Sequence, residues 1–503
     1  MRYKSTRDVN NANTKGFEQI LISSYAEDGG LYVPTELPVI SHRTFSQWKS
    51  ESFSFPQICA AVIGLFTDDI DDILLVEMAN AAFKSFNGGN DQQLPITQLE
   101  NLILLDTSHG PTFSFKDIGQ QMTGKLINHV LGKRGQVANI IIETSGDTGP
   151  AAIAGVKGHD NVEIFCLYPF GRVSEVQELQ MIAIQDDNVH VFRTEGNTDE
   201  QASVLKEVFQ DRQFVEEYNV CSVNSINWFR IAAQSSYFIW SYLQIAEHFG
   251  DPVSYIIPTG AFGNAMGGLL AQRMGLPIDR IICATNANDI VHRTIAFGDM
   301  RMTANIQTES PAMDIQFAYN LERMLYYING EDSNQLLPIM TKVEKQYRYD
   351  DNASGAALPP EMVKKIQEVF SSVVVSDSDT LETIKRVYMS TKGETVLCPH
   401  SAIAVHAGQK EFAYLQQERK DLKLVCVLTA HPCKFEDCVR RALLPEVIPQ
   451  FPCPENIAIL HQTPHRFQLL QKIEGNDWRN DWIRSIKKAV VERKERKEKI
   501  HRK

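Results

Sequence analysis

Short apolar runs that alternate with turns and helical patterns are the feature of this sequence that most limits its fold. Each run is rich in Ile, Val or Leu and is followed by a polar or glycine-containing turn. The runs lie at residues 101–106, 137–143, 162–168, 189–193, 253–258, 280–284 and 422–428. Near-continuous apolar strands are typical of parallel sheets that helices cover on both faces. The middle of the chain is therefore predicted to be an α/β structure.

The length and the spread of patterns predict more than one domain. A chain of 503 residues is too long for one ordinary core. Residues 1–92 are predicted to form a small N-terminal domain, with proline-containing loops and a helical stretch at 74–86. Residues 93–480 hold the apolar runs and a mostly helical part at 300–395. Residues 481–503 alternate Lys and Arg with Glu, which is typical of a solvated, fraying helix.

Charge and cysteine spacing exclude several classes of function. The net charge of −12 argues against nucleic acid as the main partner, although local cations and helix ends still allow small anionic substrates. The nine cysteines are scattered and form no CxxC pair, so neither a zinc site nor a disulfide framework is expected. No segment has the pattern of a signal peptide or a membrane span. We therefore expect a cytoplasmic protein without a metal, a membrane partner or a nucleic-acid partner.

Lys116 is a candidate for covalent chemistry. It directly follows Phe115 and lies three residues after Phe113, at the mouth of a helix predicted from Asp117 onward. Most lysines are solvated charges, but an apolar setting lowers the pKa of an ammonium group and frees the amine to form a Schiff base. Whether Lys116 holds a carbonyl cofactor depends on the motifs in the rest of the chain.

Three further turns carry polar residues that could bind a ligand. They lie at residues 144–149, 259–264 and 428–432. The first two offer open backbone N–H groups at the start of a helix, which suits an anion, and Thr429 in the third could meet a ring nitrogen. Each turn alone is explained equally well by an ordinary helix cap. Together, at the carboxyl ends of strands in one sheet, they predict a ligand site.

The order of these motifs resembles the threonine synthase family of fold-type II pyridoxal-phosphate enzymes. The resemblance spans most of the chain, with motifs at residues 3–7, 28–34, 109–117, 145–149, 224–228, 259–264, 313–316 and 429–432. It implies a tryptophan synthase β-like fold, in which two open parallel-sheet α/β domains hold the cofactor between them, plus a small N-terminal domain. Segments 397–402 and 475–478 are similar to an animal threonine synthase-like branch, whereas synthases proper usually carry Asp at the Cys398 position.

The resemblance also implies roles for individual residues. Lys116 would form the Schiff base with pyridoxal phosphate and move protons at the substrate's Cα and Cβ and at the cofactor's C4′. Thr429 would face the pyridine nitrogen, which a hydroxyl leaves weakly protonated. The cradle for the cofactor phosphate is matched by Gly260, Ala261, Phe262, Gly263 and Asn264. The turn that receives the substrate carboxylate and approaches the cofactor's phenolic oxygen is matched by Ser145, Asp147 and Thr148. The substrate phosphate would lie near His109, Thr112, Ser114 and Asn224.

Three functions follow from the resemblance. The first is a phospho-lyase that converts O-phosphohomoserine or O-phosphothreonine to 2-oxobutyrate, ammonia and phosphate. The second is threonine synthase, which the stretch 429–432 favours and Cys398 weakens, although a buried cysteine is also an ordinary small hydrophobe. The third, a cofactor-binding protein without catalysis, is disfavoured because the motifs are intact. The expected partner is a small phosphorylated amino acid, and the expected assembly is a monomer or a homodimer.

Overall fold

The computed structural model describes residues 1–10, 12–347, 356–415, 421–444, 454–473 and 475–501. Its strands are β1 (Arg2–Ser5), β2 (Lys15–Gly16), β3 (Tyr32–Pro34), β4 (Ile96–Leu99), β5 (Leu102–Asp106), β6 (Ala138–Glu143), β7 (Val162–Pro169), β8 (Val189–Thr194), β9 (Val220–Cys221), β10 (Val253–Pro258), β11 (Ile278–Thr285), β12 (Phe370–Val374), β13 (Lys423–Leu428) and β14 (Gln468–Leu470).

Helices cover the sheets and connect most of their strands. They are α1 (Phe17–Leu21), α2 (His42–Ser50), α3 (Phe55–Gly64), α4 (Asp72–Phe83), α5 (Lys116–Arg134), α6 (Thr148–Val156), α7 (Glu175–Ile182), α8 (Thr198–Gln210), α9 (Arg212–Glu217), α10 (Trp228–Ile245), α11 (Gly263–Arg273), α12 (Ile290–Phe297), α13 (Leu321–Ile328), α14 (Ser333–Tyr347), α15 (Pro360–Val369), α16 (Asp377–Ser390), α17 (Pro399–Leu415), α18 (Glu436–Leu443), α19 (Glu455–Ala458) and α20 (Trp478–His501).

Two open sheets of mainly parallel strands form the body of the protein. One has six strands in the order β12-β11-β10-β13-β5-β4, with β4 antiparallel to β5. The other has five parallel strands in the order β14-β8-β7-β6-β9. A small antiparallel sheet, β2-β1-β3, lies near the N-terminus. All seven predicted runs are strands of the two large sheets, within two residues of their predicted ends, and the predicted α/β class is confirmed.

Two features of the sheets differ from the prediction. The part at 300–395, predicted to be mostly helical, contributes β12 to the edge of the six-stranded sheet. This strand is largely half-buried, so it lacks the continuous apolar pattern of the central strands. The expectation that the three ligand-binding turns end strands of one sheet is also wrong. The 144–149 turn follows β6 of the five-stranded sheet, whereas the other two follow β10 and β13 of the six-stranded sheet, because long-range pairing decides which sheet a strand joins.

The N-terminal region packs onto the helices that cover the six-stranded sheet. The helical stretch predicted at 74–86 is α4 followed by a short 3-10 helix at Phe86–Gly89. Aromatic rings of this region contact α10, with Phe66 5.4 Å from Trp228 and Phe55 6.2 Å from Trp240 between ring centroids. Its buried side chains belong to the same hydrophobic cluster as those of α5, α10 and α11. The predicted domain boundary near residue 92 lies between the 3-10 helix and β4 and stays a prediction.

Helix α10 runs through the centre of the protein. Sixteen of its eighteen residues are buried, as expected of a helix that is packed on all sides. It places Arg230 and Gln234, one turn apart, on the face that reaches the cleft described below.

Helices α5 and α6 pack against each other with almost no space between their backbones. A Cβ atom on Gly124 of α5 would lie 2.4 Å from the carbonyl oxygen of Gly155 of α6, and one on Gly155 would lie 2.8 Å from the Gln120 oxygen. Only glycine permits such an approach. Because α5 begins at Lys116 and α6 begins at Thr148, the contact brings the two helix N-termini together.

The C-terminal helix α20 is an integral part of the five-stranded half of the protein. Its residues Trp482, Ile486 and Val490 are buried in one cluster with side chains of β6, β7 and α8. Glu163 on β7 accepts Arg493 at 2.9 Å and Lys497 at 2.6 Å. The prediction of a solvated, fraying helix is therefore wrong for this face, because apolar residues spaced four apart lie among the charges.

The described parts of the chain contain no helix that is both long and apolar enough to cross a bilayer. They also contain no group of three or more His, Cys, Asp or Glu side chains arranged to hold a metal ion. The eight cysteines in these parts are buried and form no disulfide with one another, and the ninth, Cys453, lies outside the described residues.

Candidate active site

The carboxyl ends of β6, β10 and β13 and the N-terminus of α5 open onto one cleft. Its empty volume is about 850 Å³, which includes space open to solvent. Its lining includes Lys116, the 144–148 turn, the 259–264 turn and Thr429, together with side chains from α8, α10 and the segment 312–319. The three predicted turns therefore meet at one site, although two different sheets supply them.

The Lys116 loop is fixed by backbone contacts with the loop after β13. Phe115 N donates to Thr429 O at 2.9 Å, and His431 N donates to Phe113 O at 3.1 Å. Phe113 takes a left-handed conformation, with φ of 61°, which turns the chain into α5. The Lys116 Nζ lies 4.7 Å from the centroid of the Phe115 ring. The aromatic setting predicted for this lysine is present on one side.

Lys116 belongs to a buried charge cluster with Asp147 and Lys434. Its Nζ lies 3.5 Å from Asp147 Oδ2, and Lys434 Nζ lies 2.8 Å from Asp147 Oδ1. Burial lowers the pKa of Lys116 to about 8; Asp147 opposes this shift, whereas Arg230 and Lys434 reinforce it. Burial alone would raise the pKa of Asp147, but Lys434 and Lys116 outweigh it and hold that pKa well below its usual range. The cluster therefore combines a permanent carboxylate with an amine that loses its proton easily.

The 259–264 turn forms an anion cradle at the N-terminus of α11. Phe262 caps this helix in a left-handed conformation, with φ of 63°. The first backbone N–H groups of a helix have no partner within it, so those of Gly263 and Asn264 are available to a ligand. A Cβ on Gly260 would lie 3.1 Å from Met313 Cα, and the buried Asn264 Nδ2 has no hydrogen-bond partner. This arrangement suits a phosphate group.

The 144–149 turn is held by its own threonine. Gly146 N and Gly149 N donate to Thr144 Oγ1 at 2.9 and 3.0 Å. Gly146 has φ of 136°, and a Cβ there would lie 2.5 Å from the Gln177 side-chain amide, so the position requires glycine. Ser145 Oγ donates to Ala312 O at 3.0 Å. The turn thus directs the N-terminus of α6 into the cleft, where it suits a carboxylate.

Thr429 is positioned by a buried hydroxyl. Its backbone N donates to Ser401 Oγ at 3.2 Å, and Cys398 Sγ lies 3.2 Å from the same oxygen. Burial raises the pKa of the Cys398 thiol to about 11. Cys398 is therefore a neutral packing residue one contact away from the Thr429 loop.

The four residues predicted near the substrate phosphate are not among the residues that line the cleft. His109 Nε2 lies 3.0 Å from Asp106 Oδ2. Both the backbone N and the hydroxyl of Thr112 donate to Asp117, at 2.9 and 2.6 Å. Two other predicted residues, Ser114 and Asn224, are buried and each has a side-chain oxygen without a hydrogen-bond partner. Their substrate role stays a prediction.

Several lining or supporting residues were not predicted from the sequence. Lys434 lies two residues after the 428–432 turn. Its closeness to that motif is the one feature of the sequence that could have indicated it. The other members reach the cleft through tertiary packing: Glu143, Arg230, Gln234, Tyr319 and His400. Burial lowers the pKa of His400 to about 4, and its Nε2 accepts a hydrogen bond from Ala312 N at 3.1 Å, so this imidazole is neutral.

Comparison with known proteins identifies the family. The model for the threonine synthase N terminus matches residues 2–83, and the model for the threonine synthase C-terminal region matches residues 401–479. Threonine synthase-like 2 of Xenopus laevis is 35% identical over 502 residues, which cover 99% of this chain and 100% of that protein. Threonine synthase of Saccharomyces cerevisiae is 34% identical over 468 residues, which cover 88% of this chain and 89% of that protein.

A solved structure supports the same assignment. The crystal structure of threonine synthase from Brucella melitensis, with pyridoxal phosphate bound, superposes with a TM-score of 0.83 at 34% identity. The superposition covers 97% of this chain and 98% of that chain. The family and the fold type implied by the sequence motifs are thus confirmed. The chain belongs to the threonine synthase family of pyridoxal-phosphate-dependent enzymes of fold type II.

Proposed function

We propose that this protein is a pyridoxal-phosphate-dependent phospho-lyase that acts on O-phosphohomoserine or O-phosphothreonine. The products are 2-oxobutyrate, ammonia and phosphate. The observation that carries the proposal is the shared cleft, which is lined by both the buried Lys116 amine and the anion cradle at residues 259–264. A monomer or a homodimer remains the expected assembly.

The residues of the cleft fit pyridoxal phosphate. The Lys116 amine can form a Schiff base with its aldehyde, because burial lowers the amine's pKa to about 8. The cradle offers helix N-terminal N–H groups and the unpartnered Asn264 Nδ2 to its phosphate. Thr429 lies at the end of β13, where its hydroxyl can meet the ring nitrogen. When bound, the cofactor supplies a conjugated ring that takes up the electron pair left on the substrate carbon.

The protein side chains supply binding and proton transfer. Lys116 takes a proton from the substrate Cα and then moves a proton at Cβ, as its lowered pKa allows. Lys434 holds the Asp147 carboxylate at 2.8 Å, so that carboxylate stays ionised and orients the Lys116 amine without taking up its proton. The N-terminus of α6 at residues 145–148 binds the substrate carboxylate.

Arg230 favours a substrate that carries a dianionic group. Its side chain is 2% exposed, and its Nε has no hydrogen-bond partner. In the described parts of the chain, the Arg230 guanidinium forms no ion pair. It is attracted only at longer range by tyrosine side chains and Glu143. A buried cation without a carboxylate partner is costly unless a ligand neutralises it. The phosphate of an O-phosphorylated amino acid meets this need.

Threonine synthase is the second candidate function. The yeast synthase is nearly as similar to this chain as the Xenopus protein, at 34% against 35% identity. The two reactions share the loss of phosphate and differ in whether water then adds to the substrate Cβ. A difference of about 1.4 kcal/mol between the two barriers changes the product ratio tenfold.

The products distinguish these functions. Purified protein loaded with cofactor is incubated with O-phosphohomoserine and, separately, with O-phosphothreonine, and phosphate, 2-oxobutyrate and threonine are each measured. We expect equal amounts of phosphate and 2-oxobutyrate from the wild type. The control variant Lys116→Ala should form neither product and should lack the visible absorption of the bound cofactor. Threonine in place of 2-oxobutyrate would establish the synthase. Absence of phosphate release from both substrates would refute both functions and leave a cofactor-binding protein without catalysis.

A further inference from the structure

Glu143 is a carboxyl group of the cleft that the reaction described so far does not use. It is the last residue of β6, where it pairs with Leu167 of β7, so its backbone is fixed at the end of the sheet. The residue is 8% exposed and lines the same cleft as Lys116. Asn224 Nδ2 donates to its backbone oxygen at 3.3 Å.

The surroundings of Glu143 leave room for a polar ligand. The titratable or charged groups that face it are Arg230 from α10, Tyr319 from the segment before α13, Cys166 from β7 and Tyr25 from the N-terminal region. No ion pair to its carboxyl is found in the described part of the chain. The cleft-lining Gln234, 1% exposed, has no hydrogen-bond partner for either amide atom. Buried polar atoms rarely stay without partners, so a bound group is needed to satisfy them.

The other acidic and imidazole side chains of the cleft are already engaged. Asp147 is paired with Lys434 and Lys116. Asp199 accepts backbone N–H groups of Gln316 and Phe317 at 3.0–3.2 Å. His400 accepts from Ala312 N. The Glu143 carboxyl has hydrogen bonds to its own backbone and to the neutral side chain of Asn224, and it lines the cleft that a substrate enters.

The departing phosphate needs a proton. When the carbon–oxygen bond of a phosphate ester dianion breaks, the phosphate oxygen keeps the bonding electron pair. Without a proton donor, phosphate would leave as the trianion, which is strongly basic. Lys116 serves the carbon atoms of the substrate, so a second group is required at the oxygen. We propose that Glu143 is the general acid that protonates the phosphate oxygen as its bond to carbon breaks.

This step builds on the proposed function and balances in atoms and charge. The carbon–oxygen bond breaks, its electron pair stays on oxygen, and the Glu143 proton forms the new O–H bond, which gives hydrogen phosphate and a carboxylate. Water restores the proton to Glu143 after phosphate leaves. Burial raises the pKa of Glu143 to about 7, although its hydrogen bonds and, less strongly, Arg230 oppose this shift. The protonated and the ionised carboxyl are therefore both accessible near neutral pH.

Glu143→Gln tests the role, because the amide keeps the size of the side chain but releases no proton. We expect kcat for phosphate release to fall about 100-fold or more, with KM changed much less. The wild-type decline of kcat/KM as pH rises through about 7 disappears in the variant, because activity there requires protonated Glu143. Glu216→Gln, at an exposed position of α9, is the matched control and leaves both unchanged.

A second readout does not depend on turnover. In the cofactor-free protein, infrared difference spectra across pH 7 show C=O absorption of neutral carboxyl groups, to which Glu143 and Asp314 both contribute. The Glu143 part of this absorption is absent from Glu143→Gln, whereas the Asp314 part remains. Wild-type kcat in the variant, or a lower kcat with the alkaline decline retained, overturns the inference. The proposed function fails separately, by absence of phosphate release from the wild type. Thermal unfolding and cofactor absorption equal to wild type establish that the variant is folded and loaded.

Discussion

Replacing Lys434 by methionine gives the sharpest test of how the charge cluster works. Lys434→Met keeps the length of the side chain but removes the cation that lies 2.8 Å from Asp147, where neither side chain is more than 3% exposed. Removing one partner of a buried ion pair costs about 3–5 kcal/mol, because the remaining charge stays buried without its partner. Lys15→Met is the control, since its pair with Glu27 at 3.1 Å is much more exposed and contributes less than about 1 kcal/mol.

The pH dependence of this loss has a definite sign. The pKa of Asp147 is lowered in the folded protein, so the cluster contributes stability above the unfolded value of about 3.9 and loses it as pH falls toward the folded value. The difference between wild type and Lys434→Met in chemical unfolding is therefore full at pH 7 and shrinks below about pH 4.

The same variant changes the reactivity of Lys116. Lys434 helps to lower the pKa of the Lys116 amine, so its removal raises that pKa. A rise of one unit, equivalent to ~1.4 kcal/mol, reduces the neutral amine at pH 7 about tenfold. Uptake of pyridoxal phosphate by the cofactor-free variant, followed by visible absorption, should slow by a similar factor. Wild-type stability together with wild-type uptake at pH 7 would refute this account of the cluster.

Three further predictions concern the cofactor and the C-terminal helix. Cofactor uptake by the wild type should accelerate as pH rises through about 8, because Lys116 reacts as the free amine; a rate independent of pH would contradict this. Gly263→Ala should weaken cofactor binding about tenfold, equivalent to ~1.4 kcal/mol, because its Cβ would lie 3.0 Å from Ser225, while Gly132→Ala, with ordinary contacts only, should bind normally. Trp482→Ala should lower the free energy of unfolding by about 3–5 kcal/mol, and an unchanged unfolding midpoint would show that α20 does not stabilise the sheet.

Local pattern predicted much of the fold and the covalent centre. The central strands are rich in Ile, Val and Leu, so all seven could be located without knowledge of their partners. Lys116 stood out because its aromatic neighbours are adjacent in sequence. Lys434 and Arg230 gave no such signal, since their roles depend on Asp147 and on α10 being brought to the cleft by tertiary contacts. Strand β12 was missed because an edge strand with half-buried residues has no distinct period.

The glycine contact between α5 and α6 has a consequence for protein engineering. Gly124 and Gly155 fix the spacing of the two helices, and the reactive amine and its carboxylate partner are attached to the ends of those helices. Their separation is therefore set by backbone atoms remote from the cleft. Other residues that line the cleft, such as Gln234 on α10, come from other elements. A designer could thus exchange the substrate-facing wall for a new specificity while the lysine machinery keeps its alignment.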